Sequence, residues 1–262
     1  MASGSLTIVG TGIKLALHLT PEARAELEQA DEVIFLAADE VTNRWLERVS
    51  PKARSLAGFY EDGKDRRETY AQMVEEILSP VRNGRRVCAA FYGHPGVFVQ
   101  PAHEAVRRAR LEGFEARMLP AVSAEDCLFA DLGVDPGANG CQTYEATDFL
   151  VHRRTIDIST PLVLWQIGFL GQAKYSARPD TSRLPVLVEY LLDLYPREHE
   201  VVVYEASPYP VRRAEIRRTP LSELAAADVA PMATLYVPAC VRREPDRAML
   251  EWLGLSRAKT DS

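Results

Sequence analysis

No run of apolar residues in this 262-residue chain approaches the roughly 20 that a helix needs to cross a bilayer. The N-terminus also lacks the basic-then-apolar layout of a secretory signal, so a cytoplasmic location and no membrane partner are expected. Cysteine is scarce. Cys88, Cys127, Cys141 and Cys240 form no C-x-x-C pair, which points to reduced thiols and gives no support for a metal centre. Excess positive charge is absent too: the net charge of −6 argues against a nucleic-acid partner, leaving only Arg212-Arg213 and Arg217-Arg218 as local basic patches. Internal repeats and low-complexity tracts are missing as well.

What is there suits a packed globular protein. Hydrophobic residues make up 47% and charged ones 26%, and the length allows one large domain or two small ones. Leu6-Thr7-Ile8-Val9 is β-like and runs into Gly10-Thr11-Gly12, a glycine turn able to expose backbone N–H groups to a ligand. A third glycine is missing, so the dinucleotide fingerprint is incomplete. Residues 21–30 read as a helix, with Thr20 as N-cap, Pro21 at the first helical position and Glu22 at the positive dipole end. Residues 32–36 form the next strand, and the alternation that begins here predicts a mostly parallel α/β sheet.

The central feature is the strand 86–91 followed by Tyr92-Gly93-His94-Pro95-Gly96-Val97-Phe98. Glycine and proline in that turn let backbone approach a ligand closely, and open α/β sheets bind ligands beyond the carboxyl ends of their strands. Upstream, Asp62-Gly63 marks a turn, and Asp65 with Glu68 resembles a capping box. The helix it starts carries Met73, Val74, Ile77 and Leu78 on one face and places Arg66 and Tyr70, four apart, together near its start. By itself that pair fits an exposed arginine with a half-buried tyrosine far better than it fits a site.

Further along, a helix at 101–112 and a strand at 115–119 precede Pro120-Ala121-Val122-Ser123-Ala124, where Ser123 caps a helix whose N–H groups could face an anion. Asp135-Pro136-Gly137 and Asn139-Gly140 predict a loop and a domain boundary. Residues 162–168 read as a continuous strand in which Gln166 is either satisfied internally or faces a polar ligand. A helix at 184–195, strands at 200–206 and 233–237, and one short helix with a polar tail complete the chain.

Taken together, Val9-Gly10-Thr11-Gly12, the turn 92–98 and the segment 120–124 occur in the order found in tetrapyrrole methylase-like (class III) methyltransferases. Within that superfamily the chain resembles the borosin peptide α-N-methyltransferases. The resemblance is carried by the segments 60–70, 93–98, 123–132 and 143–146. It implies two α/β domains, with S-adenosyl-L-methionine in the cleft between them and S-adenosyl-L-homocysteine as product. It also implies methylation of backbone amides of a ribosomally made peptide, and an interlocked homodimer with two peptides bound. Residues 1–135 would form the N-terminal, catalytic domain, 136–240 the C-terminal domain completing the cofactor site, and 241–262 a helix and tail.

Tetrapyrrole methylases usually carry an acidic residue where His94 stands, a departure that favours the borosin branch. Fungal borosin enzymes carry their substrate as a C-terminal extension. Here only about one helix and a tail follow the Thr234 strand, so the expectation is the split, bacterial form, acting on a separate precursor peptide. By matched position the resemblance assigns catalysis to Arg66, Tyr70 and Tyr60, with Tyr70 as base beside the Arg66 guanidinium and Tyr92 near the transferred methyl. Ala57 stands where the family has a further tyrosine. Cofactor contacts are expected from Gly10, Tyr92, His94, Val97, Phe98, Ser123, Ala124, Gln166, Tyr204, Ala233 and Thr234. The alternatives are a small-molecule methyltransferase of the same fold, of tetrapyrrole or precorrin type, and a catalytically idle peptide-binding protein.

Overall fold

A computed structural model of the chain describes residues 4–14, 16–50, 53–176, 178 and 180–255. Its first half alternates β1 (Ser5–Gly10), α1 (Pro21–Gln29), β2 (Glu32–Leu36), α2 (Glu40–Val49), β3 (Arg54–Ser55), α3 (Arg66–Arg82), β4 (Arg86–Phe91), α4 (Gln100–Leu111) and β5 (Glu115–Met118). The five strands form one sheet in the order β3-β2-β4-β1-β5, and every pairing in it is parallel. Because side chains alternate across a strand, Leu6, Ile8, Val87, Ala89 and Phe91 pack against α3 and α4, while Val9, Cys88 and Ala90 pack on the α1 and α2 side. Both faces are therefore buried, as a parallel sheet requires.

The second half contributes α5 (Ala124–Leu132), α6 (Pro136–Asn139), β6 (Gln142–Glu145), α7 (Ala146–Val151), β7 (Leu162–Trp165), α8 (Leu184–Leu192), β8 (Glu200–Glu205), β9 (Glu215–Pro220), β10 (Thr234–Val237) and α9 (Arg247–Trp252). Its sheet runs β6-β7-β10-β8-β9. Only β6 and β7 pair in parallel; the other three pairings are antiparallel. The expected mostly parallel arrangement thus holds for the first sheet alone. β8 returns as β9 through a loop with no crossover helix, and such a connection permits only antiparallel neighbours. α7 and α8 cover one face of this sheet. α5 covers the other, packing Leu128 with Val163, Trp165, Val202, Tyr204 and Tyr236, although it lies on the N-terminal side of the boundary expected at residue 135.

Local chemistry sets the helix starts. Thr20 caps α1 by accepting from the Ala23 N–H, and Ser123 with Asp126 forms a complete capping box on α5. Asp65 caps α3 through the Arg67 N–H, but the expected return arm from Glu68 is absent, because that carboxylate accepts from Gln72 one turn on. Two further expectations need correction. The loop signalled at 135–140 contains one helical turn, α6, held by Asp135 at the Gly137 N–H. The strand expected over 162–168 ends at Trp165, where Gln166 turns to φ 61° and a 3-10 turn, Ile167–Phe169, follows.

Candidate active site

The chain leaves β1 towards α1 on one face and leaves β4 towards α4 on the other, although the two strands are neighbours. Adjacent parallel strands whose connections diverge open a crevice at their carboxyl ends. Here the two exits are the Gly10-Thr11-Gly12 and Tyr92-Gly93-His94 turns. They are tied by paired backbone hydrogen bonds, Gly12 N–H to Gly93 O at 3.2 Å and Gly93 N–H to Gly12 O at 3.1 Å. A Cβ at residue 10 would lie 2.3 Å from the Gly93 carbonyl oxygen and 2.5 Å from Ala121 Cβ, so only glycine fits there.

Beyond these turns lies a cavity of about 300 Å³ between the two sheets. Tyr92, Gly93, His94, Val97 and Phe98 line it from the first half, and Ser123, Ala124, Gln166, Tyr204 and Thr234 from the second. The turn is held internally: the Gly96 N–H donates to His94 Nδ1 at 2.9 Å, and His103 Nε2 meets the Gly96 carbonyl oxygen at 2.9 Å. Phe98, left-handed at φ 56°, brings its ring to 5.7 Å from Trp165 of β7 and so bridges the halves. The Ser123 hydroxyl is engaged in its cap, donating to Asp126 at 2.7 Å. The Tyr204 hydroxyl donates to Asp131 at 2.8 Å, and burial together with that carboxylate pushes the phenol far above its ordinary range. Burial likewise pushes Tyr92 up to about 12. Both rings therefore stay neutral.

A second cavity, of about 610 Å³, adjoins the first and shares Phe98, Val99 and Gln166 with it. Arg66 and Tyr70 line it together from the first turn of α3. The Arg66 guanidinium lies 5.4 Å over the Phe169 ring, and its buried Nε has no hydrogen-bond partner. Among the described residues no carboxylate is within ion-pair distance of it, so a fixed positive charge is left for an occupant of the cavity. Tyr60 is half-buried beside this pair. Burial and the neighbouring Tyr70 raise its phenol far above the ordinary range against the pull of Arg66, which keeps Tyr60 a proton donor.

Five of the expected residues thus gather in or beside the larger cavity or at its border: Arg66, Tyr70, Tyr60, Phe98 and Gln166. Gln166 lines both cavities. Gly10 and Ala233 line neither. Gly10 lets the exits of β1 and β4 meet, while Ala233 O accepts from the Ile167 N–H at 3.3 Å. Sequence reasoning missed Asp39, Glu205 and Met232 in the smaller cavity and Glu145 and His103 in the larger one. Asp39 had a usable signal, as an acidic residue just beyond the second strand of an α/β unit. Among the described residues no group of three His, Cys, Asp or Glu side chains could hold a metal ion.

Comparison with known proteins fits this geometry. Residues 5–225 match the family described as Tetrapyrrole (Corrin/Porphyrin) Methylases. The chain is 39% identical over 261 residues to a "Methyltransferase/ribosomally synthesized cyclic peptide gymnopeptides precursor" of Gymnopus fusipes, covering 98% of this chain and 62% of that protein. It is 40% identical over 258 residues to the corresponding omphalotin A precursor of Omphalotus olearius, covering 97% and 62%. A type I borosin cyclic peptide precursor of Coprinopsis marcescibilis is 42% identical over 243 residues, covering 90% and 62%. The chain therefore spans about three fifths of the length of these curated relatives.

Among solved structures, uroporphyrin-III-C-methyltransferase from Thermus thermophilus superimposes with a TM-score of 0.65 at 19% identity, covering 98% of this chain and 99% of that one. The same enzyme complexed with S-adenyl homocysteine gives 0.62 at 18% identity, covering 91% and 94%. At such identities these likenesses speak for the fold. With the family match spanning most of its length and both halves of its fold, this chain belongs to the tetrapyrrole methylase family.

Proposed function

We propose that this protein is an S-adenosylmethionine-dependent α-N-methyltransferase acting on backbone amides of a ribosomally made precursor peptide. The carrying observation is the half-buried Arg66 side chain, whose buried Nε has no hydrogen-bond partner, adjoining Tyr70 in a cavity that shares a wall with a second, smaller one. The relatives named as both methyltransferase and cyclic peptide precursor support a peptide as the acceptor.

The smaller cavity suits the cofactor by its donor set. Glu205 offers a carboxylate for a cationic group, Asp39 adds negative charge although its oxygens cap α2 at Val41 and Thr42, Val97, Phe98 and Trp165 offer apolar walls, and Tyr92 and His94 stand at the β4 exit. When bound there, S-adenosylmethionine supplies an electrophilic methyl group. The chain's own residues do the rest. An amide nitrogen is a poor nucleophile because its lone pair is delocalised into the carbonyl. Arg66 donates to the carbonyl oxygen and stabilises the negative charge that grows there as the N–H proton leaves. Tyr70 acts as the base after giving up its own proton to solvent: its phenolate, facing the Arg66 guanidinium, takes the amide proton and becomes a phenol, while Tyr60, keeping its own proton, donates to the Tyr70 oxygen or to the peptide. Phe98, Val99 and Gln166, which border both cavities, hold nitrogen and methyl in line.

In this proposal the peptide arrives as a separate chain. The larger cavity opens to solvent past Gln100, His103 and Gly171, all exposed, which supports entry from outside. The enzyme works as an interlocked homodimer. Trp252, 80% exposed, and Leu253, 64% exposed, lie at the end of α9 and support burial of that end against a second copy. A cytoplasmic location agrees with four free cysteines. The test is tandem mass spectrometry of the precursor peptide encoded beside the gene, incubated with protein and S-adenosylmethionine. Methyl groups on backbone nitrogens are expected. Methylation of a porphyrinoid and of no peptide would overturn the assignment, and cofactor binding with no transfer at all would leave an idle binding protein.

A further inference from the structure

The stretch after the 3-10 turn Ile167–Phe169 leaves the second sheet and crosses to the start of α3. Gly63 N–H donates to Tyr175 O at 2.9 Å, Tyr175 N–H to Lys64 O at 2.9 Å, and Arg66 N–H to Ala173 O at 3.3 Å. Asp65 and Lys174 face each other as an antiparallel bridge in the middle of this ladder. The near end is moored by Thr147, whose hydroxyl oxygen accepts from the Gly171 N–H at 3.0 Å. Residues 171–176 are thus a strap, fixed to the second half at one end and zipped to the approach of α3 at the other.

What the strap carries is an aromatic ring. Tyr175 stacks on Tyr60 with ring centroids 4.5 Å apart and planes inclined by 28°. Tyr60 follows a short 3-10 turn, Ala57–Phe59, that begins with a methyl side chain and supplies no stacking partner of its own. Among the described residues, Tyr175 is the ring that meets Tyr60 face to face. The Arg66 N–H bond means that the same strap also fixes the first residue of α3, whose side chain charges the larger cavity.

From this geometry we infer that Tyr175 is a positioning residue for the methyl transfer proposed above: its ring, held by the strap, sets Tyr60 against Tyr70 and Arg66. The inference rests on that functional proposal, and it adds that the catalytic group of the first half is incomplete without the second. Tyr175 acts through its ring face and its backbone, so its hydroxyl is dispensable.

The experiment uses the full chain with Tyr175→Leu, which keeps apolar bulk without a stacking face, and Tyr175→Phe, which keeps the ring. Hydrogen–deuterium exchange on the free protein reads the strap directly. In Tyr175→Leu the amides of Gly63 and Arg66 are expected to exchange roughly tenfold faster, and in Tyr175→Phe at the wild-type rate. Steady-state methylation of the precursor peptide reads the consequence: kcat falls about 10-fold in Tyr175→Leu with KM for the peptide within twofold, and Tyr175→Phe restores it. Wild-type kcat in Tyr175→Leu would overturn the inference, as would an equal loss in Tyr175→Phe, which would make the hydroxyl the active element. If the wild type methylates no peptide, the functional proposal fails instead. The exchange data then decide the strap alone, with unchanged protection in Tyr175→Leu overturning it.

Discussion

The two sheets serve one crevice by different means. The parallel sheet reaches it with backbone: two glycine turns at the ends of β1 and β4, locked by paired N–H and carbonyl groups between Gly12 and Gly93. The largely antiparallel sheet reaches it with side chains, among them Gln166 beyond β7, Tyr204 on β8 and Thr234 on β10. The reason is geometric. All strands of a parallel sheet end on the same side, so their turns form one floor. An antiparallel sheet sends alternate strands in opposite directions, and its contribution comes from residues along or just past a strand. The proposed catalytic group belongs to neither sheet proper. It sits at the start of α3, where the strap from the second half meets it.

That contrast can be broken in order of expected effect. Arg66→Ala removes the guanidinium that lines the larger cavity with its Nε unpartnered, so methylation should fall by about 10³-fold or more while cofactor affinity stays within about twofold. Single-turnover mass spectrometry and calorimetry measure the two effects separately, and a parallel loss of both would place Arg66 in cofactor binding. Gly10→Ala attacks the backbone floor. The added Cβ meets the Gly93 carbonyl, and we expect a loss of about 2–3 kcal/mol in urea unfolding together with impaired cofactor binding.

The opposite, amino-terminal end of the parallel sheet provides a control. There Glu26, buried between α1 and the strands, accepts from Arg86 at 3.0 Å and from Arg117 at 2.9 Å. Burial alone would raise its carboxyl, but the Arg86 and Thr7 hydrogen bonds and the two guanidinium charges win and hold it below its ordinary value. Glu26→Gln should cost about 1–2 kcal/mol at pH 7 and leave cofactor affinity unchanged, because Arg86 is partly exposed and screened. A carboxyl lowered in the fold stabilises above its unfolded pKa and loses that contribution as pH falls through the folded one. The gap between wild type and Glu26→Gln should therefore be constant from pH 8 to about 5 and close below about 4. Urea midpoints across that range check it.

The smallest effect concerns the turn itself. His103→Leu removes the hold on the Gly96 carbonyl, and cofactor affinity should weaken by about 3–5-fold. His103→Gln, which can still donate, should recover most of it. Equal affinities for both variants and the wild type would mean that the His94 bond to the Gly96 N–H suffices.

Much of this architecture could be read before any coordinates. β1, β2 and β4 are short apolar runs bounded by turn residues, and Thr20, Asp65 and Ser123 announce their helices because a cap is chemistry within three residues. β9 escaped notice because Glu215–Pro220 carries no apolar alternation. Its arginines, read as a basic patch, are engaged: Arg218 pairs with Glu200 at 2.9 Å and Arg217 donates to the Asp228 carbonyl. The left-handed Gln166 was equally hidden, since nothing in Trp165-Gln166-Ile167 marks a positive φ.

The sequence alone determined what is local: the glycine turns, the helix caps, the buried strands, and the Arg66 and Tyr70 spacing on one helical face. Tertiary structure decided what is distant in the chain. It placed Tyr204 and Thr234 across a cavity from Tyr92, made the second sheet antiparallel, and brought Tyr175 onto Tyr60 across more than a hundred residues. A turn or cap is fixed by neighbours whose preferences are written side by side. A strap that crosses between two packed halves is fixed only once both cores exist to anchor its ends.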